Sequence, residues 1–365
     1  MESSNRDSFG DVLKGIGIIM IVMGHSWLPT VPYVYTSHLA LFFLVMGLHF
    51  SEKKYCKTPL LMFSNRLTTL WPQYVIYTSL FVILRNLFLD IGFYSTSIQR
   101  YTLGGVIQNI LYSFVFYSSE QMGGALWFVA MFLIGSAFMG LIFYFGNKYF
   151  PDDSKGRYVS MAIIFAIIGI IGLLAINKGM NLPFNYQTAM LLLPISYIGF
   201  IFSKHKEIAL RYITWYGTLI IAMILWYLVG KNGIRIDGPA GEMITILLYY
   251  PITLGGLYIC LWIGKISNSN KFISLILSKV GKRSFEIMAL HFLAFKIIDF
   301  IYTQIFIHSL NDLNGFPTSY SKLGPIYVIF GVVIPIIMVV VWEYIIKKLR
   351  IWVDQYFLRA DKIHT

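Results

Sequence analysis

The first hydrophobic segment of the chain carries two side chains that can do chemistry, Lys14 and His25. An eleven-residue step along an α-helix is about three turns and roughly 16 Å, so the two side chains share one face. Asp11, about one turn before Lys14, joins that face. A cation near one membrane boundary and an imidazole half a bilayer deeper are typical of the two ends of a substrate path, and they predict one continuous cavity. The alternatives are that Lys14 extends to the lipid headgroups and that His25 hydrogen-bonds a neighbouring helix.

His25 is a candidate general base, because a neutral imidazole takes up a proton near neutral pH. His38 begins the next apolar segment, and the turn before it is short, so we expect the two imidazoles to approach each other. Two histidines could begin a metal site, but the sequence has no spacing that supplies a third and fourth ligand. No metal is therefore predicted.

These residues stand in a membrane protein. The chain has 365 residues, of which 57% are hydrophobic and 13% charged, and its apolar runs approach the roughly 20 residues that cross a bilayer. We therefore expect an all-α polytopic fold with residues 1–365 as a single membrane domain in the cell (inner or plasma) membrane. The polar N-terminus shows no removable signal peptide, and two cysteines provide no disulfide framework.

The distribution of basic residues selects a topology with about ten transmembrane helices and both termini in the cytoplasm. If the segment 103–117 lies at the interface, 22 of the 29 Lys and Arg residues fall inside, as the positive-inside rule requires. The net charge of +12 is thereby explained by orientation, so lipids rather than nucleic acid are the expected partner. The ten predicted spans are 12–30, 33–50, 68–89, 124–146, 159–177, 188–203, 212–230, 242–263, 284–307 and 323–346.

The first fifty residues resemble the acyltransferase-3 family of integral-membrane O-acyltransferases. The resemblance rests on Asp11-x-x-Lys14-Gly-x-Gly-Ile, on the ten residues between Lys14 and His25, and on His38-x-x-Leu-Phe-Phe-x-x-x-Gly47. In this chain a lysine replaces the usual arginine of the first motif, and the paired arginines after the second helix are not reproduced. Looser matches follow at Asn65-Arg66, Trp71-Pro72-Gln-Tyr74, Leu126-Trp127-Phe128, Gly281-Lys-Arg-Ser284 and Leu290-His291.

This resemblance implies transfer of an acyl group, most often acetyl, from cytoplasmic acyl-coenzyme A to a hydroxyl of an envelope glycan or lipid-linked sugar. The donor phosphates would bind Lys14, Arg66, Lys282 and Arg283. His25 would take the hydroxyl proton or would itself be acylated, and both routes stay open.

The oxyanion would need hydrogen-bond donors, for which Ser26, His38 and a backbone amide are the candidates. The catalytic residues implied are thus His25, Lys14 and His38. The oligomeric state is not predicted.

Further ionisable residues, Glu286, His291, Lys296 and Asp299, occur in the ninth predicted span. Lys296 and Asp299 are three positions apart, which favours a structural ion pair. His291 resembles a recurring family position, and a hydrogen bond between helices is an equal alternative. Two other function classes also stay open, a small-molecule transporter and a noncatalytic scaffold. Matched interrupted helices in two halves would favour transport, and the sequence shows none.

Overall fold

The structure is a computed structural model that describes residues 8–94, 97–117, 120–150, 155–231, 243–307, 313 and 315–361. Side chains are described within these ranges except at 243–246 and 352–361. All regular elements in these ranges are helical, with no β-strand among them. The all-α prediction is confirmed for this part of the chain.

The α-helices of the described ranges run from α1 near the N-terminus to α15 near the C-terminus. In chain order they are α1 (Ser8–Gly24), α2 (Val31–Val34), α3 (His38–Leu48), α4 (Glu52–Tyr55), α5 (Leu61–Asp90), α6 (Leu103–Phe114), α7 (Trp127–Tyr149), α8 (Lys155–Asn177), α9 (Tyr186–Lys204), α10 (Lys206–Tyr212), α11 (Trp215–Leu225), α12 (Met243–Ser269), α13 (Lys271–Lys282), α14 (Ser284–Phe306) and α15 (Gly324–Asp361).

Length and composition identify seven helical stretches in the described residues that can cross a membrane, or eight if α10 and α11, bent by 67°, form one span. The ten spans predicted from sequence exceed this number. Neither α1, which has 17 residues, nor α14 is among the seven. These two helices carry the buried ionisable side chains that the sequence singles out, and most of their residues are buried in the bundle.

The segment 103–117 forms a short helix rather than a span. Helix α6 has 12 residues, about 18 Å, which is shorter than the roughly 30 Å hydrocarbon core. Its exposed apolar side chains, Leu103, Ile107 and Leu111, recur every four residues and form one stripe. Such a helix suits the membrane interface, as the sequence predicts.

Glycines let the central helices approach closely. A Cβ atom at Gly15 of α1 would lie 2.2 Å from the carbonyl oxygen of Leu277 in α13, and one at Gly47 of α3 would lie 1.8 Å from that of Ser196 in α9. Side chains at these positions would overlap the facing backbone. The backbone contacts hold α1 and α3, which carry the candidate histidines, in fixed positions.

The Lys296 and Asp299 side chains form the predicted structural ion pair. Both are fully buried, and Lys296 Nζ lies 3.4 Å from Asp299 Oδ2. Lys296 also donates to the Leu313 carbonyl at 2.9 Å, while Asp299 Oδ2 accepts the Ser319 N–H at 2.9 Å. These hydrogen bonds compensate two buried charges and tie α14 to the segment before α15.

Candidate functional site

Lys14 and Asp11 lie together on α1 as the sequence predicts. Lys14 Nζ is 2.6 Å from Asp11 Oδ1, and the carboxylate is almost fully buried. The lysine charge is therefore compensated within its own helix before any ligand is considered.

Lys14 opens onto a cavity of about 900 Å³ that also receives Lys54 and Arg66. We call it the basic cavity. The sequence predicts two of these three cations, Lys14 and Arg66, as donor contacts, and the structure brings them together. The described residues that line it include no Asp or Glu, so its field is positive.

Arg66 and Lys54 are the cations of this cavity that contact aromatic rings. The Arg66 guanidinium lies 4.8 Å from the centre of the Phe132 ring, and no carboxylate in the described residues forms an ion pair with it. Lys54 lies 5.1 Å from the centre of the Tyr55 ring. Two cations that rest on aromatic faces leave their charges available to an anionic ligand.

Aromatic rings also line the basic cavity. Phe42 and Phe128 line it and meet edge to face with their ring centres 5.4 Å apart. Phe42 also packs against Gly17, which lies between Lys14 and His25 on α1. His25 is not among the lining residues. The basic cavity therefore contains the Lys14 end of the predicted path and does not include His25, and the continuity of that path stays a prediction.

His25 follows the last residue of α1 and packs against α14. Its ring stacks on that of His291, with centres 5.5 Å apart, and meets the edge of Phe292 at 4.9 Å. Its backbone N–H donates to the Val22 carbonyl at 3.2 Å. The half-buried imidazole thus stands inside the bundle rather than against lipid.

His291 is fully buried, and its two ring nitrogens differ. Nδ1 lies 2.9 Å from the Met288 carbonyl and 3.2 Å from the Ile287 carbonyl. Since a carbonyl can only accept, Nδ1 carries the hydrogen and Nε2 carries the lone pair. Nε2 has no hydrogen-bond partner in the described part of the chain. The bond between helices that the sequence offers as an alternative is not made.

His38 is not among the rings that stack on or meet the edge of His25 in the described residues, which are those of His291 and Phe292. Residues after α1 form a further helix, α2, where the sequence suggests only a short turn. His38 packs edge to face on Tyr35 with ring centres 4.9 Å apart, and its Nδ1 lies 3.2 Å from the Val34 carbonyl. It lines a second cavity of about 370 Å³.

Ser26, Lys282 and Arg283 do not line the basic cavity. The Ser26 hydroxyl donates to the Met23 carbonyl at 2.7 Å, within its own turn. Lys282 is exposed and does not line the basic cavity. Arg283 makes two hydrogen bonds to Glu343, at 2.7 and 2.8 Å, so its charge is already matched.

Neither a metal site nor a thiol nucleophile emerges from the described residues. No group of three or more His, Cys, Asp or Glu side chains in them could hold an ion. The Cys56 thiol lies between α4 and α5, where burial, with a further contribution from the Glu52 carboxylate, raises its pKa to about 11. At neutral pH this thiol stays protonated and is a poor nucleophile.

Comparison with known families decides the class of the protein. The acyltransferase-3 family, described as an acyltransferase domain, matches residues 8–346. The chain belongs to the acyltransferase-3 family. It is accordingly a multi-pass membrane acyltransferase. No curated protein and no solved structure matches the chain.

Two features of the site in this acyltransferase-3 protein are not predicted from the sequence, the place of Lys54 in the basic cavity and the contact of His291 with His25. Lys54 stands in a run of charges after the second apolar segment, which resembles an orientation signal and does not reveal a cavity. His291 has the right residue type, but only the packing of α14 against the end of α1 shows that it, and not His38, contacts His25.

Proposed function

We propose that the protein is an O-acyltransferase that moves an acyl group, in the simplest case acetyl, from acyl-coenzyme A to a hydroxyl of a cell-envelope glycan or lipid-linked sugar. The observation that supports it best is the basic cavity, which brings together Lys14, Lys54 and Arg66 with the Phe42 and Phe128 rings and whose described lining includes no carboxylate. The proposal includes ten spans with both termini in the cytoplasm.

The cations suit the phosphates of the donor. Arg66 offers a planar fork of N–H groups that matches a phosphate, while Lys14 and Lys54 act as point charges. The volume of about 900 Å³ lies at the upper end of the roughly 300–1,000 Å³ typical of small-molecule sites. A large anionic donor therefore fits this cavity better than a small ion does.

The acyl end of the donor would lie beside Phe42 and Phe128. These rings form an apolar wall where a thioester and its short acyl chain lose no hydrogen bonds on leaving water. Side chains in this position exclude water and so protect the thioester from hydrolysis.

His25 acts as the general base. It takes the proton of the acceptor hydroxyl while the hydroxyl oxygen bonds to the acyl carbon and the carbon–sulfur bond breaks. The proton then passes to the sulfur of the leaving coenzyme A. His291, locked by its Nδ1–H, holds the His25 ring by stacking. The acylated-histidine route would use the same residue.

Purified protein in lipid nanodiscs, given radiolabelled acetyl-coenzyme A with and without a hydroxyl acceptor, tests the proposal. Label should move to the acceptor as a base-labile ester. Label retained on the protein in the absence of acceptor would favour the acylated-histidine route, and no transfer to any envelope fraction would refute the function. His25→Ala, with folding checked by its melting temperature, is the matched control.

A further inference from the structure

The second cavity, lined by His38 and about 370 Å³ in volume, lies next to the basic cavity along α3 and α7, where Trp127 lines the one and Phe128 the other. It receives residues from the start of α3, the start of α7, the end of α8 and the start of α9. We call it the neutral cavity. Among its polar and aromatic lining residues are His38, Trp127, Asn181, Gln187, Thr188 and Tyr249.

The chemistry of this lining selects a neutral ligand. The described residues that line it include no Lys, Arg, Asp or Glu, so an ionic ligand would find no counter-charge. Its amide and hydroxyl groups can both donate and accept, and its aromatic rings offer flat apolar faces. A ligand with many hydroxyls and an apolar ring face, such as a pyranose, can use both the hydrogen-bonding groups and the aromatic faces of the lining. The volume falls in the range of about 300–1,000 Å³ for small-molecule sites.

Two contacts connect the neutral cavity to His25. Tyr35 lines the cavity, and its hydroxyl donates to the carbonyl of Gly24, the residue before His25, at 3.1 Å. The second contact starts at Gly124, three residues before the lining residue Trp127. Gly124 packs against Phe292, and the Phe292 ring meets that of His25. Residues in or next to the cavity wall thus contact Gly24 and Phe292, the two neighbours of the His25 imidazole.

We propose that the neutral cavity is the acceptor subsite, which binds one sugar ring of the acceptor and directs its hydroxyl towards His25. This inference rests on the proposed function. It also assigns His38 to acceptor binding, since His38 lines this cavity rather than contacting His25.

Two lining residues allow the subsite to be tested, and the melting temperature of each variant in nanodiscs shows whether it folds. Trp127 is 42% exposed, so its removal leaves no core cavity. The Gln187 Oε1 atom accepts the Leu182 N–H at 3.2 Å. Gln187→Glu keeps an oxygen for that hydrogen bond while it removes the amide donors.

The test uses purified protein in nanodiscs, labelled acetyl-coenzyme A and envelope glycan from the cells that make the protein, de-acylated with mild alkali. Trp127→Ala and Gln187→Glu should each raise the glycan concentration for half-maximal rate about tenfold, the effect of losing roughly one hydrogen bond or ring contact. Donor affinity should stay unchanged. Trp127→Phe should restore most of the loss.

Trp226→Ala is the matched control, because Trp226 is 59% exposed and does not line the neutral cavity. It should behave as the wild type. If the wild type acylates the glycan and both cavity variants keep its half-maximal concentration, the subsite is refuted while the proposed function stands. If the wild type binds donor but acylates no glycan, the proposed function fails, and the subsite with it.

Discussion

The basic and neutral cavities differ in charge although they are close together. Three cations line the first, while no Lys, Arg, Asp or Glu occurs among the described residues of the second. On α3 the two linings are two residues apart, from Ala40 in the neutral cavity to Phe42 in the basic one. A protein that joins an anionic donor to a neutral acceptor needs this contrast, because each substrate is then rejected by the site of the other.

The histidine pair belongs to neither lining, and its removal should have the largest effect. His25→Ala should lower turnover about 10²- to 10⁴-fold, since a general base contributes that much to rate. Donor affinity and glycan affinity should both stay near wild type, because the basic and neutral cavities remain intact. Single-turnover rates together with donor binding by calorimetry measure this. Turnover near the wild-type rate would place the chemistry elsewhere.

Arg66 should dominate the donor side of the comparison. Arg66→Ala should weaken acetyl-coenzyme A binding about 10- to 100-fold, because a charge-assisted hydrogen bond contributes roughly 1.5–3 kcal/mol and no carboxylate in the described residues shares this guanidinium. Arg66→Lys keeps the charge without the planar fork and should recover part of the affinity. Glycan affinity should not change; a parallel loss of both affinities would mean that the two cavities are not independent.

Lys14→Ala should weaken donor binding less than Arg66→Ala, by about tenfold or less, because Asp11 already compensates the Lys14 charge at 2.6 Å. Asp11→Asn frees that charge and should tighten donor binding. Titration of acetyl-coenzyme A with both variants measures the difference. A greater loss in Lys14→Ala than in Arg66→Ala would contradict the assigned order of the two cations.

The sequence predicts what helical periodicity and charge determine. One face of α1 carries Asp11 and Lys14, the segment 103–117 does not span, and Lys296 pairs with Asp299. It does not predict contacts set by packing between distant segments. The ring that stacks on His25 belongs to His291 of α14, more than 260 residues later, whereas His38 packs on Tyr35.

Local sequence patterns also give no information about cations whose ion-pair partners are distant in the chain. Lys282 and Arg283 form a basic pair next to a family-like motif, and nothing near them in sequence reveals that Glu343, sixty residues later, accepts the guanidinium. The sequence therefore overestimates the donor site at this point. Conversely, the sequence does not predict Lys54 as part of the donor site, because its position on the cavity wall depends on how α4 packs.

The smallest effects on donor affinity are expected for substitutions of Lys282 and Arg283, which test where the basic cavity ends. Lys282→Ala should leave donor affinity within about twofold of wild type, because an exposed lysine outside the lining contributes little. Arg283→Ala should do the same while lowering the free energy of unfolding by about 1 kcal/mol or less, since the Glu343 side chain is 53% exposed and solvent screens the pair. Donor titration and thermal unfolding in nanodiscs separate the two effects. A loss of donor affinity as large as that of Arg66→Ala would show that the cationic surface extends beyond the basic cavity to the junction of α13 and α14, and that the Glu343 pair opens when donor binds.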